Sequence, residues 1–229
     1  RLVGSEMCIR DRFQSLREVI MAITYPLSTP TNKTIAGIRL TARNVVGVST
    51  SPFSFKQQTY QFSGQRWEAD ITLPQMNREN AEEWVAFLMK LYGQKGTFLL
   101  GDPLGGTARG SASSAAGTPV VNGASQTGGT LAIDGLPASA TGYLKAGDYI
   151  QLGSAATAQL YKVLNDADSN GSGEATLDVW PNLRSSPSDG ATVVVANAKG
   201  VFRLASNEAN WNINNLAFYG ITFGAVESL

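Results

Sequence analysis

Asp166-Ala167-Asp168-Ser169-Asn170-Gly171 sets oxygen-bearing side chains at alternate positions ahead of a glycine, which is how a calcium-binding EF-hand loop opens. Such a loop closes with a bidentate glutamate at its twelfth position. Here that position is Leu177, Asp178 comes one residue late, and the flanks read as strands. Asp, Ser, Asn and Gly are also the turn-forming types, so the segment is read as a β-turn without tight calcium binding. Gly101-Asp102-Pro103-Leu104-Gly105-Gly106 is glycine-rich, but no Lys-Ser or Lys-Thr follows at phosphate-loop spacing and no helix opens after it. Glu82 and Glu83 are neighbours on a helical stretch and point in different directions, as a solvated face does. Tyr25, Tyr60, Trp180 and Tyr219 could form a sugar platform, but single aromatics at strand positions read first as core or interface residues.

The chain has no histidine, which removes Ser-His-Asp and Cys-His catalysis and every histidine-ligated metal site. Its single cysteine, Cys8, allows no intrachain disulfide. Carboxylate pairs for glycoside hydrolysis could be assembled from distant segments, but nothing marks such a pair. We expect no catalytic residue, cofactor site or metal site, and hence no enzyme. Lys+Arg and Asp+Glu number 18 each, a balance that does not suit electrostatic capture of nucleic acid. Charged residues are 16% of the chain, below the roughly 25% of an average soluble domain. That shortage fits extensive contact with other subunits. No apolar run approaches the roughly 20 residues of a membrane span, and no secretory signal is evident.

The elements are mostly strands. Residues 25–34 read as an extended arm or loop, and residues 38–48 and 53–62 as strands with turn residues between them. Residues 66–73 alternate cleanly, with Trp67, Ala69, Ile71 and Leu73 on one face, until Pro74 stops the ladder. One helix is expected over residues 77–92. Asn77 is its N-cap, Glu79 lies in the first turn, and Ala81, Trp84, Val85, Leu88, Leu91 and Tyr92 form an apolar stripe that ends at Gly93. Residues 97–100 form a short strand. Composition then shifts to Gly, Ala, Ser and Thr over residues 104–130. Short strands follow at residues 149–152, 159–164, 175–179 and 192–195, and the aromatic style returns at 201–204, 211–213 and 217–226. This pattern predicts a discontinuous core of residues 21–106 and 198–229, with an inserted β domain over 107–197.

Leu2-Val3-Gly4-Ser5-Glu6-Met7-Cys8-Ile9-Arg10-Asp11-Arg12 looks like a translated sequencing-library adapter. Arg17-Glu18-Val19 can be encoded by a ribosome-binding sequence set upstream of Met21. Residues 1–20 are therefore read as an artefactual extension of a bacterial or phage reading frame that starts at Met21.

Three segments resemble tail proteins of long-tailed bacteriophages. The first is Ser51-Pro52-Phe53-Ser54-Phe55-Lys56-Gln57-Gln58, leading into the strand from Arg66 to Pro74. The second is the helix through Trp84 and Phe87, followed by Gly96-Thr97-Phe98-Leu99-Leu100-Gly101-Asp102-Pro103. The third is the block holding Leu144-Lys145-Ala146-Gly147-Asp148-Tyr149-Ile150-Gln151-Leu152-Gly153 and ending in Gly200-Val201-Phe202-Arg203-Leu204. Together they span nearly all of residues 21–229 and resemble the distal tail family.

The resemblance implies a mainly β fold: a tail-tube-like β-sandwich or barrel with one flanking helix and a small inserted β-barrel-like domain. It also implies a structural virion protein, assembled in the bacterial host cytoplasm as a homo-oligomeric ring, a hexamer in that family. The ring would join the tail tube protein to the hub or tip proteins. The family has no catalytic residues to carry over. The alternative reading is a carbohydrate-binding module that holds host-surface glycan through residues 107–197. Specific nucleic-acid binding is not expected. A chain beginning at Met21 should melt with the full chain in a thermal scan, and a melting point several degrees lower would show that residues 1–20 stabilise the fold.

Overall fold

The computed structural model describes residues 23–31, 35–114 and 117–229, so Cys8, Met21 and the whole of the adapter-like extension lie outside the described residues. The protein is mainly β, with two antiparallel-dominated sheets and, among the described residues, one α-helix.

The first sheet draws on both ends of the chain. Its strands are β1 (Leu27–Ser28), β2 (Gly37–Thr50), β3 (Gln57–Thr72), β4 (Thr97–Leu100), β11 (Gly200–Leu204), β12 (Trp211–Ile213) and β13 (Tyr219–Glu227). They lie in the order β1-β4-β11-β13-β3-β2, with β12 paired to β13. Only β1 runs parallel to its neighbour, Leu27 against Phe98. Part of the expected loop over residues 25–34 thus joins the sheet.

Trp67, Ala69, Ile71 and Leu73 of the β3 segment all point inward at 4% exposure or less, as the period-two alternation requires. Helix α1 (Arg78–Lys90) lies over this face, burying Ala81, Trp84, Val85, Phe87 and Leu88. Asn77 caps it by accepting the Asn80 N–H. Phe87 stacks edge-on to Phe98, and Phe98 to Phe223, which ties helix, β4 and β13 together.

The helix is shorter than the expected 77–92. Leu91 is its C-cap, and Tyr92 and Gly93 turn left-handed at φ 49 and 67. That turn swings Tyr92 out of the apolar stripe to 67% exposure and brings the Gly96 N–H onto the Leu91 carbonyl at 2.7 Å.

The second sheet uses β5 (Val120–Val121), β6 (Thr130–Asp134), β7 (Tyr149–Leu152), β8 (Gln159–Val163), β9 (Ala175–Trp180) and β10 (Val193–Val194), in the order β10-β7-β8-β9-β6-β5. Its ends meet. Val120 bridges Thr192, the Val121 N–H reaches the Ala191 carbonyl at 2.9 Å, and the Val193 N–H reaches the Pro119 carbonyl at 2.9 Å. The result is a small barrel filled by residues such as Leu131, Ile133, Ile150, Tyr161 and Leu177.

Barrel and first sheet are joined side by side rather than strung on a linker. Tyr149 and Leu160 of the barrel belong to the first sheet's core. Gly200 sits where a Cβ would come within 2.9 Å of the Leu160 Cβ, so the absence of a side chain lets β11 lie against β8.

Trp67 makes the most of this junction. Its indole N–H donates to the Leu160 carbonyl at 3.0 Å, and its ring meets Trp180 edge-on at 4.5 Å. Its backbone N–H donates to Glu227 at 2.9 Å. The loss of Trp67→Ala in denaturant unfolding should be about 3–5 kcal/mol, the cost of emptying a large aromatic site in a packed core. Trp67→Phe should lose less, because it keeps most of the ring and gives up chiefly the hydrogen bond.

Candidate functional site

Strands β2 and β3 outrun the sheet that holds them. Up to Asn44 and Gln65 the pair is a working part of the fold, with one face on the core. Between Asn44 and Val46 the register shifts, since β3 spends extra residues at Phe62, Ser63 and Gly64. Beyond this bulge the two strands continue as a free ribbon, pairing Val46 with Gln61 and Thr50 with Gln57. At about 3.3 Å per residue the ribbon projects roughly 20 Å. The Ser51 N–H closes onto the Lys56 carbonyl and the Phe55 N–H onto the Ser51 carbonyl, each at 2.9 Å, to form the tip.

The ribbon is apolar on both faces. Val46 and Val48 stand on one side at 49% and 58% exposure, Tyr60 and Phe62 on the other at 67% and 50%. Tyr60 and Phe62 pack edge-on at 4.8 Å, and Gly47, opposite Tyr60, leaves room beneath the Phe62 ring. At the tip Phe53 is 96% exposed and Phe55 79%. No Asp or Glu occurs between Ile38 and Trp67, whereas Arg39, Arg43, Lys56 and Arg66 do. Arg43 and Arg66 both pair with Glu68 at the base, at 3.1 and 2.7 Å, and they hold its carboxyl below the ordinary range, Arg66 contributing most. Lys56 is left as the cation at the tip.

The base of the ribbon is braced by the barrel. Asn44 Oδ1 accepts from Gln65 Nε2 at 3.1 Å and from the Trp180 indole at 2.8 Å, and the Asn182 N–H donates to Gln65 Oε1 at 2.7 Å. These bonds fix the direction in which the ribbon leaves the sheet. β2 is also the outer strand of its sheet, and its other edge carries no partner strand among the described residues.

A cleft of about 670 Å³ lies between barrel and C-terminal strand, walled by Leu152, Gln159, Ser186, Ala191 and Ser228 among others. Arg184 Nη2 and Glu227 Oε2 meet there at 2.6 Å with little exposure. Burial pushes the Glu227 carboxyl above its ordinary range, and the Trp67 N–H and Arg184 only partly oppose it.

The residues singled out from sequence do not converge on a reactive site. Asp166 accepts the Ala146 N–H at 2.8 Å and pairs with Lys145 at 2.9 Å, and Asp168 accepts the Gly142 N–H at 2.6 Å. Asn170 Oδ1 accepts the Ser172 and Glu174 N–H groups at 2.9 Å each, closing a turn. The oxygens needed for a cation are thus turned onto neighbouring backbone, and Leu177 lies buried on β9. Asp102 caps its own glycine-rich turn through the Leu104 N–H at 2.9 Å. Glu82 pairs with Arg78 at 3.2 Å along an exposed helix face. Of the four aromatics, Tyr25 donates to the Lys90 carbonyl, Tyr60 lies on the ribbon, Trp180 is wedged against Trp67, and Tyr219 is buried at 8% exposure. They share no surface.

Sequence reading missed the ribbon. It placed Phe53 and Phe55 in a strand, whereas they stand in the turn ahead of Gln57. The available signal was the consecutive Val45-Val46 and the lack of strict alternation from 45 to 62, a pattern that gives neither face to a core. Compared with known protein families and with curated proteins, the chain matches none. No helix among the described residues is long and apolar enough to cross a membrane.

Asp166 carries a prediction with a sign. The Ala146 N–H and then Lys145 favour its charged form and lower its pKa. Its hold on the 140–146 loop should persist above the ordinary carboxylate range and be lost as pH falls through the depressed value. Asp166→Asn should erase that step from an NMR titration of the loop. Calorimetry with calcium should show no submicromolar binding, and tight binding would mean that the loop reorganises around the ion.

Proposed function

We propose that this protein is a structural subunit of a phage tail tip, built to assemble with copies of itself into a ring that joins tail tube to tip. The observation that carries the reading is the ribbon: an arm braced at its base, apolar on both faces, and lying along an unpaired strand edge. A monomer gains nothing from exposing such an arm, whereas a subunit that inserts it between neighbours buries both faces. The barrel supports the same reading, because its sheet closes on itself and leaves β2 as the long open edge among the described strands. The resemblance to the distal tail family supplies the setting and the expected six-fold ring. Tail tube and hub proteins are the partners it implies.

A second reading, glycan binding by the barrel, is favoured by the cleft beside Arg184, whose wall offers Ser186 and Gln159 as hydrogen-bonding groups. Among the described residues that cleft's wall has no aromatic face of the kind on which sugars commonly stack.

Electron microscopy of virions that carry this chain should find it in a closed ring at the tail tip, and the reading fails if the chain is absent from the tail or forms no ring there. Val46→Lys with Val48→Lys should shift folding stability by about 0.5 kcal/mol or less each, as exposed substitutions do. The same pair should stop incorporation into tails.

A further inference from the structure

The cleft between barrel and β13 has a floor whose hydrogen bonds are unfinished. The Glu227 side chain is only 4% exposed, and both of its donors meet the same oxygen. The Trp67 N–H reaches Oε2 at 2.9 Å and Arg184 Nη2 reaches it at 2.6 Å. Oε1 has no hydrogen-bond partner among the described residues, although Glu227 lines the cleft. Arg184 is also incompletely used. Its Nη2 is committed to Glu227, while its Nε is buried without a partner. The pair is held from behind, because the Arg184 backbone N–H donates to the Tyr161 hydroxyl at 3.1 Å and that hydroxyl donates to Gln159 Oε1 at 2.6 Å. Gln159 lines the cleft too, and its Nε2 has no partner among the described residues. Polar atoms left unpaired in so buried a place cost free energy that a ligand can recover.

These atoms define the chemistry of the missing partner. Arg184 and Glu227 are the charged side chains in the wall, and they offset each other, so neither an anion nor a cation gains by entering. Glu227 Oε1 needs a donor, whereas Arg184 and Gln159 need acceptors. A hydroxyl is both, and two hydroxyls on neighbouring carbons present a donor beside an acceptor. A primary amide would match the floor but leave the wall's serine hydroxyls, at Ser185, Ser186 and Ser188, unused. Leu152, Ala158 and Ala191 add aliphatic surface for C–H groups. The volume of about 670 Å³ is that of a small-molecule site. With no aromatic face in the wall, selectivity has to come from the hydrogen bonds at the floor.

We infer that this cleft binds an uncharged molecule with adjacent hydroxyl groups, such as the edge of a sugar ring, one hydroxyl donating to Glu227 Oε1 and its neighbour accepting from Arg184. This rests on the glycan reading given second above and names the groups that read the ligand. Arg184 and Glu227 are then both a brace between barrel and sheet and the recognising pair.

The test titrates the isotope-labelled full chain with glucose, galactose, N-acetylglucosamine and glycerol, and separately with inorganic phosphate, and follows it by NMR. At least one neutral compound should give saturable shifts of the Arg184 Nε–H, the Gln159 side-chain amide and the Ser186 N–H at millimolar concentration. A deoxy analogue that lacks one of the two hydroxyls should bind about tenfold more weakly, because it leaves a buried group unpaired. Ser186→Trp narrows the cleft from its exposed wall and leaves the Arg184–Glu227 pair intact, and it should weaken binding about tenfold or more. Glu227→Gln should weaken binding as well, and where that variant does not fold the Ser186 variant carries the test. No saturable shift with any neutral compound, or tighter binding of phosphate, overturns the proposal. Sugar binding with shifts confined to other parts of the barrel would reject this cleft and leave the glycan reading standing. Binding at the cleft in a chain absent from tails would keep the site and reject the tail setting.

Discussion

Trp67 is where the two sheets become one object. The helix-covered sheet and the small barrel could each close over its own apolar residues, and their relative placement would then be set by loops alone. Here one side chain fills the space between them, stacked against Trp180 and Tyr149 from the barrel while its indole N–H is satisfied by a barrel carbonyl. Its backbone N–H is taken by Glu227 of β13, which in turn holds Arg184 of the barrel's exit loop. A buried carboxylate of this kind is unfavourable by itself and becomes tolerable through those two donors. The packing and the polar pairs therefore demand the same relative position of sheet and barrel.

That position decides what the ribbon can do. Two residues before Trp67, Gln65 takes the Asn182 N–H, and Asn44 takes the Trp180 indole, so the bulge is clamped one step from the junction. An isolated two-stranded hairpin is marginal in water. Continuity with a buried ladder, a clamped base and the Tyr60–Phe62 contact supply the order that its own length cannot. An arm held in one direction gives up less conformational freedom on docking than a flexible one, so more of its apolar burial is left for association.

The parts of this fold that were legible in the sequence are those in which local pattern and tertiary role agree. Trp67, Ala69, Ile71 and Leu73 alternate because they line a core, and Asn77 and Gly93 bracket a helix because the backbone needs a cap at one end and a left-handed residue at the other. Tyr92 misled because its spacing continues the stripe while its backbone has already left the helix. The barrel's closure was hidden for another reason. It depends on a bridge between Val120, which lies in the stretch that reads as rich in Gly, Ala, Ser and Thr, and Thr192 at the start of an expected strand far along the chain. The hydrogen bonds of Trp67 to residues 93 and 160 positions away leave no trace in periodicity. The ribbon lies between these cases, since its composition is visible but its exposure depends on where the sheet ends.

An exposed, two-faced apolar ribbon invites open-ended stacking with other copies, and several features of the chain oppose that outcome. The bulge after Asn44 breaks the register of the edge strand, which increases local twist and spoils a flat template. Gln57, Thr59 and Gln61 put polar side chains among Val46 and Val48, and Lys56 places a charge at the point where two tips would meet head to head. Arg43 and Arg66, drawn to Glu68, keep positive charge at the base, so side-by-side ribbons in register would bring like charges together. Self-pairing of ribbons is thus penalised at both ends.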